Sequence, residues 1–318
     1  MSALVFRAAK MGRRKVLFDT PAIPGSPQQP KAKASKLVFN IRRQAWQFHV
    51  QSEFLGGKNL VTVLLPDEFD GSRQYPVVYL LPVEPASESR YGNSLAVIRE
   101  IDAHNRYGVI FVDPAFDTLP WCGSHATNPR IRHDEYIIRH LVPLVEERWP
   151  TPGAAIGRLL FGFSKSGWGA FTLAARHSDV FGFAASWDAP LMLTEEGFGC
   201  FGTERHFGTK KQFSRYLVTD LLRANAASFT SQPRLVLGGA NLFGDWPKGH
   251  YSGANHTEDA HGFLNSLGIL HDYQDDLNFD HSWNRAWMEP MLEALLQLAT
   301  RNSIFPSRTD KNNPCCTT

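Results

Sequence analysis

The sequence has no apolar run that approaches a membrane span. Its longest, such as Val77–Leu81, fall far short of the roughly 20 residues a helix needs to cross a bilayer. It has no excess of charge either: Lys and Arg number 33 against 31 Asp and Glu, a net +2, which argues against nucleic acid as a partner of the whole chain. Cysteine is scarce, with four in 318 residues. Cys122 and Cys200 are isolated, Cys315 and Cys316 are adjacent, and no CxxC spacing occurs. This excludes a disulfide framework and a structural zinc site of the usual spacing. The thiols read as ordinary cysteines of a reducing compartment, so a cytoplasmic location is expected. The N-terminus lacks the apolar core of a secretory signal.

What is present is a large, aromatic-rich core former: 43% hydrophobic residues, with eight Trp and 22 Phe. The charge is unevenly placed. The first 36 residues carry +7 and the remaining 282 carry −5. Pro21, Pro24, Pro27 and Pro30 space out the end of the basic segment. Residues 1–36 are therefore expected to be a disordered tail, 37–302 one catalytic domain, and 303–318 a flexible end.

Within the domain, short apolar runs alternate with helical periodicity. Ala45–Ser52 and Asn59–Leu65 read as strands joined by a turn at Gly56-Gly57-Lys58. Val77–Leu81, Gly108–Asp113, Leu159–Phe163, Phe183–Ser186, Arg234–Leu237 and Leu270–Asp275 read as further strands, several of them buried on both faces. Helices are expected at Ser94–Ala103, Asp134–Trp149, Trp168–His177, Glu258–Leu267 and Arg285–Leu298. The fold class is α/β: a mostly parallel sheet with helices on both faces and an antiparallel N-terminal edge.

The most specific local signal is Gly162-Phe163-Ser164-Lys165-Ser166-Gly167, entered by a strand and left by a helix. A serine on such a bend is held in a strained backbone, and the residues two before and two after it must be small. Gly162 and Ser166 meet that need around Ser164. Around Ser166 the second neighbour is Trp168, which is too large. Ser164 is therefore the candidate nucleophile. Its hydroxyl needs a base, and in this strand–turn–helix architecture the base comes late in the chain. His281 lies between the last strand and the last helix and is the candidate. The acid is read as Asp245, in the loop after Arg234–Leu237, with Asp188 after the preceding strand as a rival. The loop Asp245–Asn255, with Gly249 and Gly253, reads as a lid.

An acyl-transfer intermediate also needs N–H donors. The backbone of Lys165 supplies one. The loop Pro82-Val83-Glu84-Pro85 supplies the other, and Glu84 is favoured because proline has no N–H. The Glu84 carboxylate then needs an offsetting cation, Lys165 or Arg90. Trp121, Phe163, Trp168 and Trp187 are candidate substrate-binding aromatics, with core packing as the competing role for about half of them. His256 and His261 are five residues apart, with Glu258 and Asp259 between them, whereas helical metal pairs usually stand three or four apart; no metal or other cofactor is expected.

Several stretches resemble the esterase D-like family of the α/β-hydrolase superfamily: Leu55–Lys58 through Leu64–Pro66, Tyr75–Leu81, Trp121, Tyr136–Leu144, Gly162–Ala170 and His281-Ser282-Trp283. The resemblance covers roughly residues 45–298. It implies an α/β-hydrolase fold with Ser164 as nucleophile, His281 as base, and Lys165 and Glu84 as backbone donors; it leaves the acid open. Ser166 and Pro82-Val83 depart from the glycines usual at those places. The implied activity is cleavage of a carboxylic ester or thioester by a catalytic triad, on a small-molecule ester or acylated sugar. Transfer of the acyl group to an alcohol or sugar, or a non-catalytic binding role on the same fold, are the alternatives.

Overall fold

Ten strands occur among the described residues: β1 (Lys33–Ala34), β2 (Val38–Asn40), β3 (Ala45–Gln51), β4 (Asn59–Leu64), β5 (Val77–Leu80), β6 (Ile110–Pro114), β7 (Arg158–Phe163), β8 (Phe183–Trp187), β9 (Leu235–Gly238) and β10 (His271–Gln274). They form one sheet in the order β1-β3-β4-β6-β5-β7-β8-β9-β10, with β2 also paired to β3. Pairing is antiparallel from β1 and β2 through β3 and β4 to β6, and parallel from β6 to β10. The computed structural model describes residues 32–86, 90–239, 256–277 and 279–301.

The helices are α1 (Ser94–Glu100), α2 (Ala103–Arg106), α3 (His133–Tyr136), α4 (Val142–Arg148), α5 (Ser164–Arg176), α6 (Thr203–Phe207), α7 (Lys210–Ser214), α8 (Val218–Ala224), α9 (His256–Ser266) and α10 (Arg285–Arg301). They cover both faces of the sheet, so the central parallel strands β5, β8 and β9 are nearly all apolar and buried, while the outer β10 is polar and half-buried. On one face Trp168 and Phe171 of α5 join Trp121, Phe207 and Phe213. On the other, Ile98 of α1 and Trp287, Met288 and Met291 of α10 pack with Phe161, Phe163 and Trp187. The α/β-hydrolase architecture expected from the sequence is present.

Some boundaries differ from the sequence reading. Strand pairing begins at Lys33, ahead of residue 37, because β1 and β2 both add to the outer edge of β3. The helix expected over Asp134–Trp149 is continuous but passes through a π-helical turn at Ile137–Leu141. Helix α5 starts at Ser164, four residues before Trp168, for a reason that belongs to the site.

Candidate active site

The elbow is built by its small residues. Ser164 sits at φ 53°, a left-handed conformation that a non-glycine residue adopts only under constraint. A Cβ on Gly162 would lie 2.4 Å from the Ser166 carbonyl oxygen, so the strand can meet the helix only through glycine. A Cβ on Gly167 would lie 2.8 Å from both the Ala189 Cβ and the Ser186 hydroxyl. Ser166 does more than stay small. Its Oγ accepts the Phe163 N–H at 3.1 Å and donates to the Phe163 carbonyl at 2.9 Å. That reciprocal cap is why α5 begins at Ser164, despite a first turn of poor helix formers.

The neighbouring strand ends in a buried carboxylate. Phe163 and Trp187 are paired in register on β7 and β8, so Ser164 and Asp188 leave the sheet side by side. Asp188 also has positive φ, 44°, and its N–H donates to the Gly238 carbonyl at 2.9 Å. Gly239 must be small for this: a Cβ there would come within 3.0 Å of the Asp188 backbone. The Asp188 carboxylate is 1% exposed. Nδ1 of His281 donates to its Oδ2 at 2.6 Å. With Nδ1 carrying the proton, the neutral imidazole is held in the tautomer whose Nε2 is basic.

The imidazole is held by aromatic walls. Its ring meets Phe163 edge-on at 4.9 Å and Tyr91 at 5.5 Å. The following residues are tied down: the Trp283 N–H donates to the Tyr91 carbonyl at 2.6 Å, and the Trp287 indole N–H to the Ser282 carbonyl at 2.7 Å. Phe163 thus joins the site twice, through the chain to Ser164 and through its ring to His281.

The two loops chosen for oxyanion donors meet through their side chains. Lys165 Nζ lies 2.9 Å from Glu84 Oε1, and both side chains are largely buried. The Glu84 charge is therefore offset by Lys165, whereas Arg90 stacks over the Tyr91 ring. Lys165 follows Ser164 in the first turn of α5, where helix N–H groups have no intrahelical partner.

The remaining candidates fall elsewhere. Trp121, Trp168 and Trp187 have no exposed surface. Trp121 and Trp168 pack edge-on at 5.2 Å, and Trp187 stacks on Trp287 at 4.4 Å. Of the four aromatic candidates, Phe163 lies nearest the imidazole and Trp187 stacks on it at 6.5 Å, and Tyr91, which the sequence reading did not single out, meets it as well. Asp245 and the loop Asp245–Asn255 lie outside the described residues. His256 Nδ1 accepts the Met192 N–H at 2.9 Å, while His261 bonds to His271 at 2.8 Å, so the two have separate partners. Among the described residues no group of three or more His, Cys, Asp or Glu side chains is placed to hold a metal.

Residues 122–235, which include Ser164 and Asp188, match the Putative esterase family. Esterase Rv1288 of Mycobacterium tuberculosis (strain ATCC 25618 / H37Rv) is 27% identical over 231 residues, 71% of this chain and 45% of that protein. The chain thus spans less than half the length of that relative. Among solved structures, S-formylglutathione hydrolase FrmB of Staphylococcus aureus aligns with a TM-score of 0.60 at 16% identity, covering 83% of this chain and 100% of that one. A ferulic acid esterase aligns at 0.55 and 16% identity, covering 86% and 99%. At such identities the likeness is one of fold. Residues 122–235 are thus similar to the Putative esterase family, the esterase D-like group the motifs suggested, and the chain shares the fold of these solved structures.

Proposed function

We propose that the protein hydrolyses a carboxylic ester or thioester through an acyl-enzyme on Ser164. The observation that carries this is the 2.6 Å bond from His281 to Asp188, made where the Ser164 elbow and Asp188 leave adjacent strands. His281 takes the hydroxyl proton as Ser164 attacks the carbonyl carbon. The carbonyl electron pair moves to oxygen, where the backbone N–H groups of Lys165 and Glu84 receive it. The tetrahedral intermediate collapses, the C–O or C–S bond breaks, and His281 returns the proton to the leaving group. Water, deprotonated by the same imidazole, then releases the acid and restores Ser164.

Asp188 holds the His281 tautomer and balances the imidazolium. On this reading the acid is the residue after β8. No cofactor takes part in these steps.

A fluorophosphonate probe and short p-nitrophenyl esters test the reading. Labelling on Ser164 and hydrolysis are expected, both lost in Ser164→Ala. Labelling elsewhere, or hydrolysis that survives Ser164→Ala, would refute it. Alcohol or sugar acceptors added to the assay show whether water is the preferred acceptor.

A further inference from the structure

The exposed apolar surface of the described residues is concentrated at one edge. Six large hydrophobic side chains stand exposed, and four of them are Leu37, Val38, Phe39 and Ile41, the last at 80%. They occupy β2 and its approaches, where β2 pairs with β3 at the margin of the sheet. Lys33 and Lys36 before them and Arg42 and Arg43 after them flank this run and are exposed too. No Asp or Glu occurs between Asp19 and Glu53.

The edge is a built feature. Asn40 Oδ1 accepts the Arg42 and Arg43 N–H groups at 3.1 and 3.2 Å, and its amide donates to Gln47 at 2.9 Å. The Phe39 ring packs edge-on against Trp46 at 5.2 Å. Folding therefore holds these apolar side chains in water, an arrangement that marks an interaction surface.

We propose that this edge docks on the surface of a bilayer carrying anionic headgroups. The aliphatic and phenyl groups enter the headgroup–acyl boundary while the cations meet lipid phosphates and carboxylates. A second copy of the chain suits the patch poorly, because a two-fold contact would set cations against the same cations. Nucleic acid suits it poorly as well, because Leu, Val and Ile offer no stacking platform for bases. The protein lies on the membrane by this edge: no helix among the described residues is long and apolar enough to cross one.

Arg43 is left out of the test because it also lines a cavity of about 50 Å³ with Glu84, Asp113 and Trp283. The full chain is sedimented with phosphatidylcholine vesicles containing about 30% phosphatidylserine, and with pure phosphatidylcholine. Binding to the anionic vesicles that weakens with salt is expected. The double variants Val38→Ser/Ile41→Ser and Lys36→Glu/Arg42→Glu should each lower it by about tenfold or more, with melting temperatures unchanged. Absence of vesicle binding overturns the proposal. So does binding that survives both double variants, which assigns it to other parts of the chain. Tighter retention on RNA than on vesicles, or self-association that both double variants abolish, would overturn it in favour of those partners.

Discussion

Two buried carboxylates in this molecule have opposite surroundings. Asp134 accepts three donors: the Ser124 hydroxyl at 2.5 Å, the Tyr216 hydroxyl at 2.9 Å and the Glu135 N–H at 3.0 Å. Its donors are themselves buried, and burial with the nearby Asp134 charge pushes the Tyr216 phenol up to about 12. That cluster is closed and its protons stay put. Asp188 instead bonds an imidazole whose side chain keeps about a fifth of its surface exposed. Its backbone is strained where that of Asp134 is helical. A saturated carboxylate braces a fold; a carboxylate given one titratable, partly exposed partner at a strained strand end can serve a reaction.

The largest expected effect breaks this contrast on the reactive side. Ser164→Ala should lower kcat by about a millionfold with the melting temperature nearly unchanged. Asp188→Asn should lower kcat by about ten-thousandfold, through loss of the imidazole tautomer, and Asp245→Asn should cost less than about tenfold. The reverse ranking in ester kinetics would hand the role to Asp245. On the structural side, Asp134→Ala strands the Ser124 and Tyr216 hydroxyls. It should cost about 3 kcal/mol in denaturant unfolding while kcat per folded molecule holds. Ser164→Gly should raise stability by about 1 kcal/mol, because glycine relieves the positive φ.

The pH dependence of stability sharpens the same division. Burial holds His206 and His256 down at about 3, from an ordinary 6.5. The unfolded chain therefore binds protons that the folded one refuses, and stability falls as pH drops below 6.5 toward 3. Burial acts oppositely on Asp113, raising it to about 7, with Arg43 countering in part. Its contribution is present below the ordinary 3.8 and is lost as pH rises through 7. Chemical denaturation across pH should give maximum stability near neutrality, and His206→Gln should flatten the acid side alone.

How much of this the sequence disclosed follows from distance along the chain. The elbow was readable because Gly162, Ser164 and Ser166 constrain one another within five residues. The strand runs at Val77–Leu81 and Leu159–Phe163 were readable because burial on both faces leaves them wholly apolar. His281 could be placed by its position before α10. The choice between Asp188 and Asp245 was not local: it depends on where β8 ends relative to the histidine, a pairing across 93 residues. Helices α6, α7 and α8, of five, five and seven residues, escaped notice. Positive-φ glycines at 199, 202 and 208 interrupt any longer periodicity there. The aromatic candidates were ambiguous because an indole packs a core as well as it lines a pocket.

The Lys165–Glu84 pair has a consequence for selectivity. Opposite charges 2.9 Å apart leave a dipole, whose field fades faster with distance than that of either charge alone. On the proposed function, that pair therefore draws in a distant anion or cation more weakly than an unpaired Glu84 or Lys165 would. Breaking the pair with Lys165→Met should leave the Glu84 charge uncompensated and penalise anionic esters relative to neutral esters of the same size.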